Sequence, residues 1–325
     1  MNDSIHLHKS YIRFKIDHLS FPVYLALIPV VYVVPTVLII FRILSVFISL
    51  VIRKKRSVEM NMHIFLVIVA SHFMNLLFFF SDYLMYRLPA TGLLTSFCAR
   101  SSPSRFLSLI VFFHFYSAYT VMIFPFLLSF IRFLLIVSPH SRHNALRLSL
   151  PLVFIYPLFF TFFLIPAVGI CKQLGEPYPF GSVMVYYYGS FHGIRNSPFY
   201  LGNVVVWMIM CTMINTLLLL KLSNFNFQLG STVVHSMSSC RSKSCDLSIT
   251  LTTVSMLLSA LLNCIFVVSY LTMPVYINYL TIVKPIGSDC ELVVSPWIFY
   301  MTHPIFKKKS EQQMMFQSRV LVNTL

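Results

Sequence analysis

Long apolar runs constrain this chain more than any other feature of its sequence. Six runs have about the 20 residues that a helix needs to cross a bilayer, and they cover 23–52, 62–80, 106–137, 148–169, 199–220 and 247–273. A seventh and weaker run covers 288–306, because Asp289, Glu291 and His303 interrupt it. All seven are too long for barrel strands, which take about 10 residues. The sequence therefore predicts an all-α membrane protein, a bundle of seven transmembrane helices.

The composition requires a lipid environment and excludes most other classes of protein. Hydrophobic residues make up 58% of the chain and charged residues 10%, against about 25% charged residues in soluble domains. A soluble protein of this size could not bury so much apolar surface, which excludes a soluble enzyme and a secreted disulfide-rich module. The net charge is +15, but the basic residues lie between the apolar runs. We therefore expect the lipid bilayer, and no nucleic acid, as a partner.

The distribution of Lys and Arg predicts the orientation of the bundle, because cytoplasmic loops are enriched in these residues. With the N-terminus outside, 14 of the 24 basic residues lie in inner segments, 9 lie in outer segments and Arg42 lies within the first run. The run 53–56, Arg-Lys-Lys-Arg, is the strongest single signal. We expect an extracellular N-terminus at 1–22, a transmembrane domain at 23–306 and a cytoplasmic tail at 307–325.

The first 20 residues carry charges and no apolar core. We expect no cleavable signal peptide there, so that the first span acts as the signal anchor. Asn2, followed by Asp3 and Ser4, fits an N-glycosylation acceptor on the outer side, although so short a match often arises by chance.

The seven cysteines divide between the two sides and the spans. Cys98 lies just before the third span and Cys171 just after the fourth, both on the outer side, where disulfides can form. A Cys98–Cys171 bridge would tie the second outer loop to the top of the third helix; the alternative is two unpaired thiols. Cys290 is left without a partner. Cys240 and Cys245 lack a second pair and make no zinc site, so we expect no bound metal.

The inner end of the third helix carries Arg132, followed seven residues later by Pro139. This stretch resembles the Asp-Arg-Tyr region of rhodopsin-like G-protein-coupled receptors, which has the same spacing of Arg and Pro. Ile131 and Phe133 stand where those receptors have the acid and the tyrosine. The alternative is an arginine that extends to the inner headgroups.

A closer resemblance covers nearly the whole chain. Stretches similar to the nematode serpentine chemoreceptors of class U cover 87–92, 95–99, 156–174, 194–197, 252–256 and 296–309. The last of them, Pro-Trp-x-Phe-Tyr-x-Thr-His-Pro-x-Phe-Lys-Lys-Lys, is the most specific. The resemblance implies a multi-pass receptor in the plasma membrane of a sensory neuron. It further implies detection of an unidentified extracellular small molecule or peptide and coupling to a heterotrimeric G protein.

The candidate ligand residues are in the outer half of the third helix, which lines a central cavity in this architecture. They are His114, Tyr116 and Tyr119. Other polar residues inside the spans, such as His72 and Asn75, are more simply explained as partners in interhelical hydrogen bonds.

The candidate coupling residues lie toward the inner side. Pro296 and Phe299 resemble the Pro and Tyr of an Asn-Pro-x-x-Tyr motif, and Arg132 ends the third helix. Because Ile131 cannot restrain Arg132, we expect Asp246, directly before the sixth span, to pair with it in the resting state.

Two alternatives stay open. A polytopic transporter or channel commonly shows internal repeats, and the sequence contains none. A receptor-like protein that no longer signals is compatible with Ile131 and Phe133. Phosphate loops, His-Glu-x-x-His motifs and nucleophile elbows do not occur, so we expect neither an enzyme nor a cofactor.

Overall fold

The structure, a computed structural model, describes residues 4–16, 20–52, 62–137, 142–229, 237–273 and 276–306. Long helices dominate the described part, and we number them in chain order as α1 (Phe21–Ile52), α2 (Met62–Asp82), α3 (Arg105–Val137), α4 (Arg142–Ile155), α5 (Asn196–Leu229), α6 (Met237–Thr272) and α7 (Ile277–Thr302). Short helices cover Lys9–Ile12, Leu88–Ala90, Thr95–Arg100 and Leu158–Thr161, and 3-10 turns cover Phe162–Leu164 and Phe191–Gly193. The predicted bundle of seven helices is confirmed.

Apolar side chains cover the outside of the bundle. Val31 on α1 is 78% exposed, Leu219 on α5 is 65% exposed, and Ile165 after α4 is 77% exposed. By length and hydropathy alone, four helices of the described chain are able to cross a membrane, at Phe21–Ile52, Met62–Ala90, Arg105–Leu134 and Asn196–Lys221. Exposed apolar faces of this extent are stable in lipid and not in water.

Helix α3 lies at the centre of the bundle. It packs against α2, α4, α5 and α6, and Val111, Tyr119 and Phe124 are fully buried along it. The helices around it surround one large apolar cluster that includes Phe65 and Phe299. Packing on all sides explains why α3 has no clear polar face.

A π-helical turn at Tyr83–Arg87 extends α2 toward the short helix Leu88–Ala90. Pro89 has no N–H to donate, and a proline ring in a regular α-helix collides with the carbonyl four residues earlier, which here belongs to Met85. The wider turn accommodates the proline. It also brings Asp82 and Arg87, which are five residues apart, to one face of the helix, with Arg87 Nε 3.2 Å from Asp82 Oδ2.

A two-stranded hairpin between α4 and α5 covers one end of the bundle. Its strands, β1 (Val168–Gln173) and β2 (Val183–Tyr188), are antiparallel, with Cys171 opposite Val185. We call the end with the hairpin the outer end and the opposite end the inner end. The structure differs here from the predicted fourth span, 148–169, because helical structure ends at Leu164 and β1 begins at Val168. The first residues of β1, Val168 to Ile170, are apolar and pack into the hairpin layer, so they look like the continuation of the span.

Strand β1 lies directly against the start of α3. The Gly169 N–H donates to the Ser104 carbonyl at 2.9 Å, and the Ser104 N–H donates back to Gly169 at 3.1 Å. A Cβ at Gly169 would lie 2.3 Å from Leu107 Cβ. Only glycine permits this approach of the strand to the helix.

The Cys98–Cys171 disulfide joins the short helix Thr95–Arg100 to β1, with 5.9 Å between the two Cα atoms. The bridge predicted from the sequence is therefore confirmed. The described N-terminal residues add to the same layer, because the Ile5 N–H donates to the Cys171 carbonyl at 3.1 Å and the Leu7 N–H donates to the Ala99 carbonyl at 2.9 Å. The hairpin, the disulfide and the N-terminal segment together form a roof over the outer end.

Helix α7 begins at Ile277, well before the predicted seventh run at 288–306, and ends at Thr302. The first turns carry Lys284, Gly287 and Asp289, which lower the hydropathy of this stretch. These polar groups are accommodated inside the bundle, because Asp289 is 8% exposed and bonded to residues of α1 and α2.

Candidate functional site

A cavity of about 110 Å³ lies between the helices directly under the hairpin. Aromatic side chains from five elements form most of its wall, namely Tyr86, Phe115, Tyr186, Tyr187, Tyr200 and Phe266. His114 and Asn196 also border it. A largely aromatic cavity with a few polar groups is typical of a small-molecule site. We call it the outer cavity.

Lys284 from α7 brings a positive charge to the outer cavity. Its Nζ lies 5.2 Å from the ring centroid of Tyr86 and 5.9 Å from that of Phe266. Both distances fall within the range of cation–π attraction. The two rings hold the ammonium group in place without using up its N–H donors.

The roof is connected to the helices around the outer cavity. Tyr187 of β2 accepts a hydrogen bond from the backbone N–H of Asn196 at 3.2 Å. Tyr178, in the connection between the strands, accepts a hydrogen bond from Thr281 Oγ1 at 3.4 Å. Burial raises the pKa of the Tyr178 phenol, so it stays neutral there.

A buried ion-pair network joins α1, α2 and α7 beside the outer cavity. Arg87 forms a bidentate pair with Asp289, with Nη1–Oδ2 at 2.8 Å and Nη2–Oδ1 at 2.5 Å, and its Nε contacts Asp82 at 3.2 Å. Tyr32 of α1 donates its hydroxyl proton to Asp289. The Arg87 guanidinium also lies 5.0 Å from the Phe79 ring centroid. One cation thus satisfies two carboxylates that would be very costly to bury unpaired.

His114 of α3 lies at the boundary between the network and the cavity. Its Nδ1 is 3.8 Å from Asp82 Oδ1, and its ring is stacked on Phe78 at 5.1 Å. Among the described residues, no group of three or more His, Cys, Asp or Glu side chains is arranged to hold a metal ion.

Hydroxyl groups join the helices at the inner end. Arg132 of α3 donates from Nη2 to Thr250 Oγ1 of α6 at 2.7 Å, and Arg132 is 8% exposed. Thr302 of α7 donates to Ser248 Oγ of α6 at 2.6 Å. These two contacts join α3 and α7 to hydroxyl groups on α6.

Comparison with known proteins identifies the family. The family described as serpentine type 7TM GPCR chemoreceptor Sru matches residues 5–309. Over 279 residues the chain is 36% identical to Serpentine receptor class U-26 of Caenorhabditis elegans, a match that spans 85% of this chain and 93% of that protein. The chain belongs to the Sru family. The resemblance seen in the sequence is confirmed, and the chain is a multi-pass membrane protein of a receptor family.

The three candidate ligand residues of this Sru chain have different surroundings. His114 borders the outer cavity. Tyr119 is fully buried and donates to Asn196 Oδ1 at 2.8 Å, so it supports a residue of the cavity wall. Tyr116 donates to the Phe154 carbonyl of α4 at 2.9 Å, away from the outer cavity.

The candidate coupling residues of the Sru chain are only partly described. Pro296 is buried within α7, and Phe299 is fully buried, with its ring 6.4 Å from His72 and 5.1 Å from His303. The side chain of Asp246 and residue Asn2 lie outside the described part of the structure, as do the side chains of Cys240 and Cys245.

Sequence reasoning missed the most highly charged part of the site. Asp82, Arg87, Lys284 and Asp289 are far apart in the sequence, and Arg87 and Lys284 were assigned to outer loops. One signal in the sequence could have indicated this network. The chain has only nine acids, and an acid that is buried within a membrane span needs a partner.

The other polar residues inside the helices divide into two groups, those with a hydrogen-bond partner and those without one among the described residues. Asn215 accepts from Ser129 at 3.1 Å, and Asn203 accepts from the Tyr156 hydroxyl, as expected for interhelical hydrogen bonds. Within the described residues, neither ring nitrogen of His72 nor Nδ2 of Asn75 has a hydrogen-bond partner.

Proposed function

We propose that this Sru protein is a chemoreceptor that binds an extracellular ligand in the outer cavity and couples to a heterotrimeric G protein at its inner end. The proposal rests on two features that lie at opposite ends of α3. One is the aromatic cavity under the roof, and the other is the contact between Arg132 and Thr250. The two sites share one central helix. A ligand that binds one arrangement of the helices better than another shifts their populations by that difference in affinity.

The inner contact supports a resting-state restraint. Arg132 is held to α6 by Thr250, and Asp246 comes one helical turn before Thr250 on the same helix. We propose that Asp246 pairs with Arg132 in the resting state and that Pro296 and Phe299 belong to the same switch. Breaking these contacts would free α6 to move away from α3, which would open a surface for the G protein.

The orientation and location follow from the same proposal. The N-terminus, with Asn2 as a glycosylation site, lies outside the cell, and the basic tail lies in the cytoplasm of a sensory neuron. Epitope tags at residues 2 and 325 should stain without permeabilisation and only with it, respectively. Both tags on one side would overturn this orientation.

Signalling in a heterologous cell tests the coupling. Cells that express the chain at their surface should give calcium or cAMP responses to members of an odorant panel, and Arg132→Ala should abolish them. The control, Arg195→Ala, removes an exposed arginine from the outer end and should respond normally. Surface-delivered protein that activates no G protein with any odorant would identify a receptor-like protein that no longer signals.

Basal signalling tests the resting restraint. Thr250→Val removes the acceptor for Arg132 and should raise ligand-free signalling, and Asp246→Asn should raise it by about tenfold. Thr212→Val is the matched control, because the Thr212 hydroxyl is exposed and bonds only within its own helix, to Met208. Unchanged basal signalling in both α6 variants would exclude the restraint.

A further inference from the structure

We propose that the ligand of the outer cavity is a small organic monoanion, a carboxylate on an aromatic or aliphatic body, and that Lys284 binds its carboxylate group. This inference rests on the proposed function, since it names the ligand class of the same cavity. It follows from the charge, the size and the wall of that cavity.

The charge of the outer cavity is positive. Of the described residues that line it, Lys284 is the one lysine or arginine, and no Asp or Glu is among them. No described carboxylate lies within 4.0 Å of the Lys284 ammonium group. Glu291 borders a separate, smaller cavity of about 30 Å³, on the other side of Tyr200.

The two acids of the neighbouring ion-pair network are already paired with Arg87. Asp289 holds both Nη atoms of Arg87, and Asp82 holds its Nε. The contacts of the Asp82 carboxylate are with Arg87 and with His114. The Lys284 ammonium group therefore faces the cavity with N–H donors available for an anion at contact distance.

The position of the lysine suits a single carboxylate. Thr281 lies one turn before Lys284 on α7 and borders the same cavity, as do Asn196 and Ser197 at the start of α5. The Asn196 amide and the Ser197 hydroxyl can donate neutral hydrogen bonds beside the one cation, whereas the Thr281 hydroxyl is already bonded to Tyr178 and to the Asn278 carbonyl. A dianion would leave its second charge without a cationic partner, and a cationic ligand would meet Lys284 at close range.

The size of the cavity limits the ligand. A volume of about 110 Å³ corresponds to roughly 7–10 water-sized positions. The remaining wall is formed by the rings of Phe115, Tyr186 and Tyr200, which favour an apolar or aromatic body. A small aromatic or medium-chain carboxylic acid matches both requirements, whereas a peptide does not.

A series of three molecules with one skeleton tests the charge. Benzoate, benzamide and benzylamine have nearly the same shape and differ in charge, and hexanoate, hexanamide and hexylamine repeat the test with an aliphatic body. Binding is measured on the full chain in lipid nanodiscs by the shift in unfolding temperature and by calorimetry. Each acid should bind about tenfold or more tightly than its amide, which corresponds to one charge-assisted contact, and the amine should bind least.

Substitutions assign the preference to Lys284. In Lys284→Gln the affinity for the acids should fall about tenfold to that of the amides, while the affinity for the amides stays the same. Lys284→Arg should keep the preference for acids. Lys15→Gln removes an exposed lysine from the N-terminal segment and controls for general attraction of anions to a basic protein, so its preference should equal that of the wild type.

The outcomes that overturn the proposal are distinct from those that overturn signalling. Equal binding of acid, amide and amine, tighter binding of the amine, or no binding of either acid at millimolar concentration would exclude an anion site. A retained acid preference in Lys284→Gln would exclude Lys284. If a neutral odorant evokes signalling while acids show no preference, the receptor function stands and this inference fails. If acids bind as expected and no G protein responds, the ligand class stands and the coupling fails.

Discussion

The two ends of the bundle are held together by interactions of different strength. The outer end has a disulfide, an ion-pair network centred on Arg87 and a hairpin that is pinned to α3. The inner end of the described chain has hydroxyl hydrogen bonds, such as Thr302–Ser248, and aromatic packing around Phe299. Buried ion pairs and disulfides cost several kcal/mol to break, whereas interhelical hydrogen bonds in membranes average about 0.6 kcal/mol.

This contrast suggests how a small ligand could act on so large a bundle. The outer end is a firm frame that keeps the cavity in shape, whereas hydroxyl contacts at the inner end, such as Thr302–Ser248, break at little cost. A modest difference in ligand affinity between two arrangements is then enough to move the inner ends of the helices.

Removing Arg87 should have the largest effect. Arg87→Met leaves Asp82 and Asp289 buried without their cation, and such a change costs about 3–5 kcal/mol. We expect a large loss of protein at the cell surface and a clear drop in unfolding temperature in detergent. Arg195→Met, at an exposed position, is the control. Equal unfolding temperatures for the two variants would show that the network does not hold the outer end.

Breaking the disulfide should have the next largest effect. Cys98→Ser and Cys171→Ser should each cost about 2–4 kcal/mol and lower surface delivery several-fold, and the double variant should be no worse than either single one. Cys290→Ser removes an exposed free thiol and should be neutral. Additive losses in the double variant would contradict a shared role for the two cysteines.

Removing an inner hydroxyl should have the smallest effect on stability. Thr302→Val loses the contact with Ser248 and should cost about 0.6 kcal/mol, which is too little to reduce surface delivery. It should raise ligand-free signalling by about threefold if the contact favours the resting state. Thr272→Val is the control, because its hydroxyl is exposed and bonds within α6. A loss of surface protein as large as that of the cysteine variants would remove the distinction between the two ends.

The sequence predicted what depends on local composition. Apolar runs located the helices, because a span must satisfy its backbone internally and face lipid, and loop positions were enough to pair Cys98 with Cys171. The hairpin was not predicted, since strand residues such as Ile170 and Val185, both buried, have the same hydropathy as a span. Hydropathy has the same value for a residue that faces lipid and for one that is buried inside the protein.

The charged part of the site was hidden for the same physical reason. Lys284 and Asp289 lowered the hydropathy of α7, so its first turns looked like an outer loop. Their burial depends on Arg87 and Tyr32, which come from distant parts of the chain. A single sequence does not show which charged side chains contact each other in the fold. The sequence placed His114 near a central cavity, as the structure does. The side chain of Tyr116 points toward α4 instead, because its direction depends on how α3 is rotated about its own axis, which the sequence pattern did not determine.

The wide turn at Tyr83–Arg87 has a consequence for how this receptor could change over evolutionary time. Each residue added to or removed from a helix alters the angular phase of everything beyond it by about 100°. A deletion within that turn would therefore rotate Arg87 away from Asp289, although the gene would still encode both residues. In relatives of this chain, the length of this short stretch and the presence of an acid at the position of Asp289 should be gained and lost together.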